Sequence, residues 1–118
     1  MYNYRIYEEV YNQMISGKKH IEVRLLNEKS ASIKKGDIRK FSVLDSDKYL
    51  NVKVLDIYDF KNIDELWQYK DIVADSSMNY TKEEFITALY NIFGEDNVKN
   101  SKIVAIQFEK IDKEKKYE

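Results

Sequence analysis

One stretch limits the folds open to this chain more than any other: Gly17-Lys18-Lys19-His20-Ile21-Glu22-Val23-Arg24-Leu25. Within it Ile21, Val23 and Leu25 alternate with His20, Glu22 and Arg24, the period of a half-buried strand. Before it, Ile6, Val10 and Met14, with Tyr7 and Tyr11, recur at three- and four-residue spacing, which predicts an amphipathic helix over residues 4–16. The period thus changes at Gly17, a residue suited to a left-handed helix C-cap. Lys18 and Lys19 follow where cations complement the helix's negative end. Period two sends Glu22 and Arg24 to the same face, about 7 Å apart along the strand. With a lysine at the strand mouth, such a pair either grips an anion or closes on itself as an internal salt bridge.

Composition removes several function classes. A chain of 118 residues fits one domain, predicted over 1–111 with a solvated tail at 112–118. With 43% hydrophobic residues it has material for a core without staples. Twenty basic against 21 acidic residues give a net charge of -1, so any site for an anion or nucleic acid must be a local patch. The absence of cysteine excludes disulfides, thiolate metal sites and cysteine nucleophiles, and a single histidine argues against a histidine metal site. No cofactor or metal is expected. No apolar run approaches the ~20 residues that span a bilayer. The polar N-terminus carries no secretory pattern, so a cytoplasmic protein is expected.

The rest of the chain alternates strands and helices. A strand at 20–25, a polar connection at 26–32 and a turn at 33–37 with Gly36 precede a strand at 38–44. After turn residues at 45–48, a third strand at 49–58 carries Leu50, Val52 and Val54 on one face. Leu55 and Ile57 then break the phase, which predicts a bulge. A short helix near 62–70, capped by Asn62 or Asp64, carries Ile63, Leu66, Trp67 and Tyr69, and 71–80 reads as loop. Thr81 and Glu84 form a capping box ahead of the stripe Phe85, Ala88, Leu89, Ile92, Phe93, with Gly94 as C-cap. Residues 97–101 read as loop. The final strand at 102–111 is apolar on both faces and therefore predicted to be central. The fold class is α+β: a small, curved, mostly antiparallel sheet or pseudo-barrel with flanking helices.

Gly17, Lys19, Glu22 and Arg24 match the G-x-K-x-x-E-x-R pattern of ASCH domains, members of the PUA-like superfamily. Ile33-Lys34-Lys35-Gly36-Asp37-Ile38-Arg39-Lys40-Phe41 resembles that family's entry into its next barrel strand. The close into Ile103-Val104-Ala105-Ile106-Gln107-Phe108 is similar too, so the resemblance spans about residues 5–111. It implies a PUA-like pseudo-barrel, a cleft beside the G-x-K-x-x-E-x-R strand, and RNA or a nucleotide-like ligand as partner. Members of the family include hydrolases of acetylated cytidine and ribonucleases. In the former, the lysine matched by Lys19 works with a threonine where this chain has Glu22, and with a glutamate where it has Asp75-Ser76-Ser77-Met78-Asn79-Tyr80. Neither partner is matched, so enzyme activity is left open, with Lys19 as the only catalytic candidate.

The candidate ligand-binding residues are Lys19, Glu22, Arg24, Tyr80 and Trp67. A guanidinium at Arg24 engages a phosphate or base edge bidentately. Glu22 holds that guanidinium while keeping acceptor capacity for an amino group. Lys19 meets a phosphate or oxyanion, provided it lies ahead of the regular strand, since alternation otherwise puts it with Ile21. Glu22 is expected to raise the pKa of Lys19. A base stacks on Trp67, Tyr69 or Tyr80, although Trp67 fits a core equally well. His20 shares the Glu22 face and reads as an exposed strand residue. The leading reading is an RNA- or nucleotide-binding module. The alternatives are a small hydrolase acting on RNA or a modified nucleoside, and an interaction or regulatory protein without a ligand.

Overall fold

The computed structural model describes residues 3–76 and 80–111. Its elements are β1 (Asn3–Ile6), α1 (Glu8–Ile15), β2 (Ile21–Leu25), α2 (Glu28–Ala31), β3 (Ile38–Val43), β4 (Tyr49–Phe60), α3 (Ile63–Leu66), α4 (Lys70–Ser76), α5 (Lys82–Phe93), α6 (Glu95–Asn100) and β5 (Ile103–Lys110). The strands form one sheet in the order β1-β3-β4-β5-β2. β1 runs parallel to β3 and every other pair is antiparallel, so the sheet is mixed but mostly antiparallel. It curls into a half-barrel with helices around it, the α+β architecture expected.

The phase slip in the third strand is a register shift between Val54 and Asp56. It lets β4 change sides: Leu50, Val52 and Val54 enter one core, whereas Phe60 enters the other. The first core, inside the curl, joins Tyr4, Ile6, Phe41, Val104, Ile106 and Phe108 and is closed by Met14 of α1. The second lies on the outer side of the sheet, where α3, α5 and α6 pack Leu66, Phe85, Leu89 and Val98 against Val23, Ile103 and Ala105. β5, unlike β4, gives alternate residues to both cores along its length, which explains its apolar residues on both faces and its place between β4 and β2.

Local chemistry set several boundaries as expected. Gly17 adopts φ +78°, and the N–H groups of Lys18 and Lys19 both donate to Gln13 O, closing α1. Asn62 caps α3 through Glu65 N, and Thr81 and Glu84 form the reciprocal capping box of α5. Gly94 ends α5 at φ +91°.

Four expectations are corrected. Residues 4–6 are strand rather than the start of the first helix. Tyr4 and Ile6 are buried on one side and Arg5 is exposed, a period-two pattern hidden within the i, i+4 spacing of Ile6, Val10 and Met14. The polar connection holds a one-turn helix, capped reciprocally by Asn27 and Ser30, whose hydroxyl also donates to Leu25 O. The helix expected at 62–70 is two helices, and 70–76, read as loop after residue 70, is α4. Residues 95–100, read partly as loop, form α6 directly after Gly94. Positions 77–79 and the expected tail at 112–118 lie outside the described residues.

Candidate ligand cleft

The candidate site grows from the entry of β2. Because Gly17 turns the chain out of α1 and the regular strand begins only at Ile21, Lys19 escapes the alternation that would place it with Ile21. Its side chain is only 3% exposed. The ammonium donates to Ile21 O at 2.6 Å and to Ser76 O at 3.0 Å, and stands 3.5 Å from Glu22 Oε1. Ser76 is the last described residue of α4, so a buried cation holds a carbonyl of that helix's final described turn.

Asp75 completes the junction from the other direction. One carboxylate oxygen accepts the backbone N–H groups of His20 at 2.7 Å and Ile21 at 2.8 Å, and the other lies 3.0 Å from the His20 ring Nδ1. The end of α4 and the mouth of β2 are therefore clasped reciprocally: a helix carboxylate holds strand N–H groups, and a strand-entry lysine holds a helix carbonyl. His20 is exposed at the outside of this clasp.

Burial pushes the Lys19 pKa below its ordinary value of 10.5, against the pull of the Glu22 and Asp75 carboxylates. Glu22 does act in the expected direction, but desolvation is the larger effect. The same burial is compensated geometrically, since three acceptors surround an ammonium that has three N–H groups to give.

Glu22 and Arg24 share a face, as alternation requires, and it is the inner one: they lie across from Ile106 and Val104 of the inner core. Arg24 Nη2 donates to Glu22 Oε2 and to Arg5 O of β1, both at 2.9 Å, and its guanidinium carbon stands 5.1 Å from the centroid of the Tyr4 ring. Since β1 and β2 are the two edges of the sheet, Arg24 spans the seam where the curl fails to close. Its side chain is 16% exposed and that of Glu22 13%. Arg24 Nε is buried and makes no hydrogen bond among the described residues.

Beside this seam opens a cleft of about 450 Å³ between β1 and α1 on one side and β2 and α5 on the other. Lys19, Glu22 and Arg24 line its polar end together with Arg5; Tyr7 and Tyr80 are exposed at its margins. Its remaining walls are largely apolar, from Val10, Leu89 and Phe93 among others. Of the residues singled out in the sequence, Lys19, Glu22, Arg24 and Tyr80 are brought together here. Trp67 is not: it is half-buried in the outer core, 5.4 Å from the Phe85 ring, and the Tyr69 ring meets that of Phe60 at 5.1 Å, tilted by 58°. Arg5, Tyr7 and Asn91 were missed as lining residues, because no local pattern tells that β1 and the end of α5 face β2. The described residues hold no group of three or more side chains arranged for a metal ion, and no helix among them is long and apolar enough to cross a membrane.

No protein-family model and no curated protein matches the sequence. Solved structures do match. The crystal structure of hypothetical protein PH0355 is 31% identical, covers 92% of this chain and 97% of its own, and superposes with a TM-score of 0.78. The solution structure of PF0455 from Pyrococcus furiosus is 27% identical over 94% of this chain and 97% of that one, with a TM-score of 0.71. The ASCH domain from Lactobacillus crispatus, at 12% identity, aligns over 92% of this chain and 79% of its own with a TM-score of 0.67, a likeness of fold. The chain thus has the PUA-like fold of ASCH domains and, at 31% identity over nearly all of both proteins, belongs to the same family as PH0355.

Proposed function

We propose that this domain binds RNA or a nucleotide-like ligand in the cleft beside β2. The observation that carries the reading is the pairing of a carboxylate and a guanidinium, Glu22 and Arg24, on the wall of a cleft of about 450 Å³ with tyrosines at its margins. That volume lies within the roughly 300–1,000 Å³ usual for small-molecule sites, and apolar walls with a few convergent polar groups are their usual construction. The partly exposed Arg24 side chain offers guanidinium charge to an incoming acceptor, Glu22 retains lone pairs for an amino group, and Tyr7 or Tyr80 offers a face to a base. Lys19 acts from beneath, as positive charge and as scaffold, because its donors are already directed at Ile21, Ser76 and Glu22.

A hydrolytic reading draws on one observation, the lowered pKa of Lys19. A neutral amine there has two N–H groups for three acceptors, so the geometry favours the charged, non-nucleophilic form, and binding without turnover is the expected behaviour.

The test is a thermal-shift screen of nucleosides, nucleotides and short RNAs on the wild type and on Tyr80→Ala and Arg24→Ala. A ligand that stabilises the wild type and stabilises both variants less supports the cleft. A panel that shifts neither wild type nor variants overturns it and favours an interaction protein without a ligand. Product formation from a bound RNA or nucleoside, abolished by Lys19→Met, would favour the hydrolase.

A further inference from the structure

The outer side of the sheet is covered unevenly. α3, α5 and α6 bury β2, β5 and the far end of β4, but among the described residues none of β1 or β3 belongs to that outer core. On the uncovered part the register lays out a lattice. Arg5 lies across from Ser42 and Ser42 across from Tyr49; Lys40 lies across from Asn51, and Ile38 from Lys53. These positions alternate with Tyr4, Ile6, Phe41, Val43, Leu50 and Val52 of the inner core, so their side chains stand on the outer face. Ile38 and Tyr49 are exposed there, as is Leu55 at the bulge, and the Lys40 ammonium sits 4.5 Å from the centroid of the Tyr49 ring.

The charges on this face decide its partner. Arg5, Lys40 and Lys53 stand against Glu109, which lies across from Lys53, and against Asp56 beyond the bulge, whose charge Lys35 meets at 3.4 Å, in a chain whose net charge is -1. A two-fold dimer through the same face would oppose these cations to one another, which disfavours a second copy. Cations interleaved with an exposed ring suit a single-stranded nucleic acid, whose phosphates and base faces present the complementary pattern. The face is also continuous with the cleft: Arg5 belongs to both, its carbonyl holding Arg24 on the inner side and its side chain standing on the outer one.

We propose that the open outer face of β1, β3 and the first half of β4 is a track for single-stranded RNA running from the cleft. Arg5, Lys40 and Lys53 meet successive phosphates, and Tyr49 takes a base. The track extends the proposed function, since it rests on the cleft receiving one nucleotide of the same strand.

The experiment measures a labelled single-stranded RNA of about a dozen nucleotides, the span of one or two small binding folds, by fluorescence anisotropy across a salt series. Mononucleotides are measured in parallel by calorimetry. Both assays use the wild type and the double variant Lys40→Glu/Lys53→Glu, whose fold is checked by circular dichroism and thermal melting. The double variant is expected to lose about tenfold or more in RNA affinity, with a salt slope shallower by about 1.4, the value for two phosphate contacts on a single strand. Its mononucleotide affinity should equal that of the wild type. Unchanged RNA affinity in the variant overturns the track and leaves the cleft standing, as does a wild type that binds the RNA no tighter than a mononucleotide. Loss of RNA binding in the variant, with no mononucleotide bound by either protein, overturns the cleft reading and with it a track that starts there, and leaves a basic RNA-binding face alone. A wild type that binds neither ligand overturns both, and a wild-type dimer dissolved by the double substitution assigns the face to a second copy.

Discussion

β5 and β2 lie side by side, paired residue for residue, and they answer to opposite rules. β5 is enclosed by the inner and outer cores, and Ile103, Val104, Ala105 and Ile106 are all buried. β2 is an edge: its outer-facing Ile21, Val23 and Leu25 are packed, while across from Ile106 and Val104 it carries Glu22 and Arg24. Charges in the place of Ile106 would have no partner and no water. In β2 they have each other, the Arg5 carbonyl across the seam, and a cleft. The edge of a curled sheet is where a small domain can hold charged groups half out of water without losing its core.

The sharpest way to break this contrast is to truncate both strands. Ile106→Ala removes a fully packed side chain and should cost about 2–5 kcal/mol in urea unfolding, through lost transfer energy and the cavity left behind. Arg24→Ala should cost less, about 1–3 kcal/mol, because Glu22 keeps Lys19 within reach and has access to the cleft. A loss at Arg24 equal to that at Ile106 would show that the seam is part of the core and would undo the distinction.

The smallest effect concerns Lys19 and is read as a difference between wild type and Lys19→Met. Burial lowers the folded-state pKa below 10.5, so between the folded value and 10.5 the unfolded chain binds the extra proton. Stability attributable to Lys19 should therefore rise with pH through that window, and the gap between wild type and Lys19→Met should shift in favour of the wild type. Melting curves of the two proteins from pH 7 upward check the sign. A shift in the opposite direction would mean that Glu22 and Asp75 outweigh desolvation.

Much of the frame was legible where the signal is local. Gly17, the Thr81–Glu84 box, Asn62 and the phase slip after Val54 each act through their own backbone or nearest neighbours, and each stands where its chemistry placed it. The central place of β5 was legible for a related reason, since apolar residues on both faces leave no face for water. Residues 4–6 and 71–76 differ from the expectation because their conformation is decided by partners far along the chain. β1 is a strand through its parallel pairing with β3, and α4 is held by Lys19, which donates to Ser76 O from 57 residues earlier.

The candidate site divides along the same line. Alternation alone put Glu22 and Arg24 on one face, and the glycine before them freed Lys19 from the strand's phase. Whether that face looked into water, into a core or into a cleft was not written in the period. It was decided by the curl of the sheet, which carries β1 round to within a hydrogen bond of Arg24, and by α4 and α5, which wall the gap that remains. Side-chain direction along a strand is a property of the backbone, whereas burial and charge state depend on what other segments deliver, and only the folded chain brings those together.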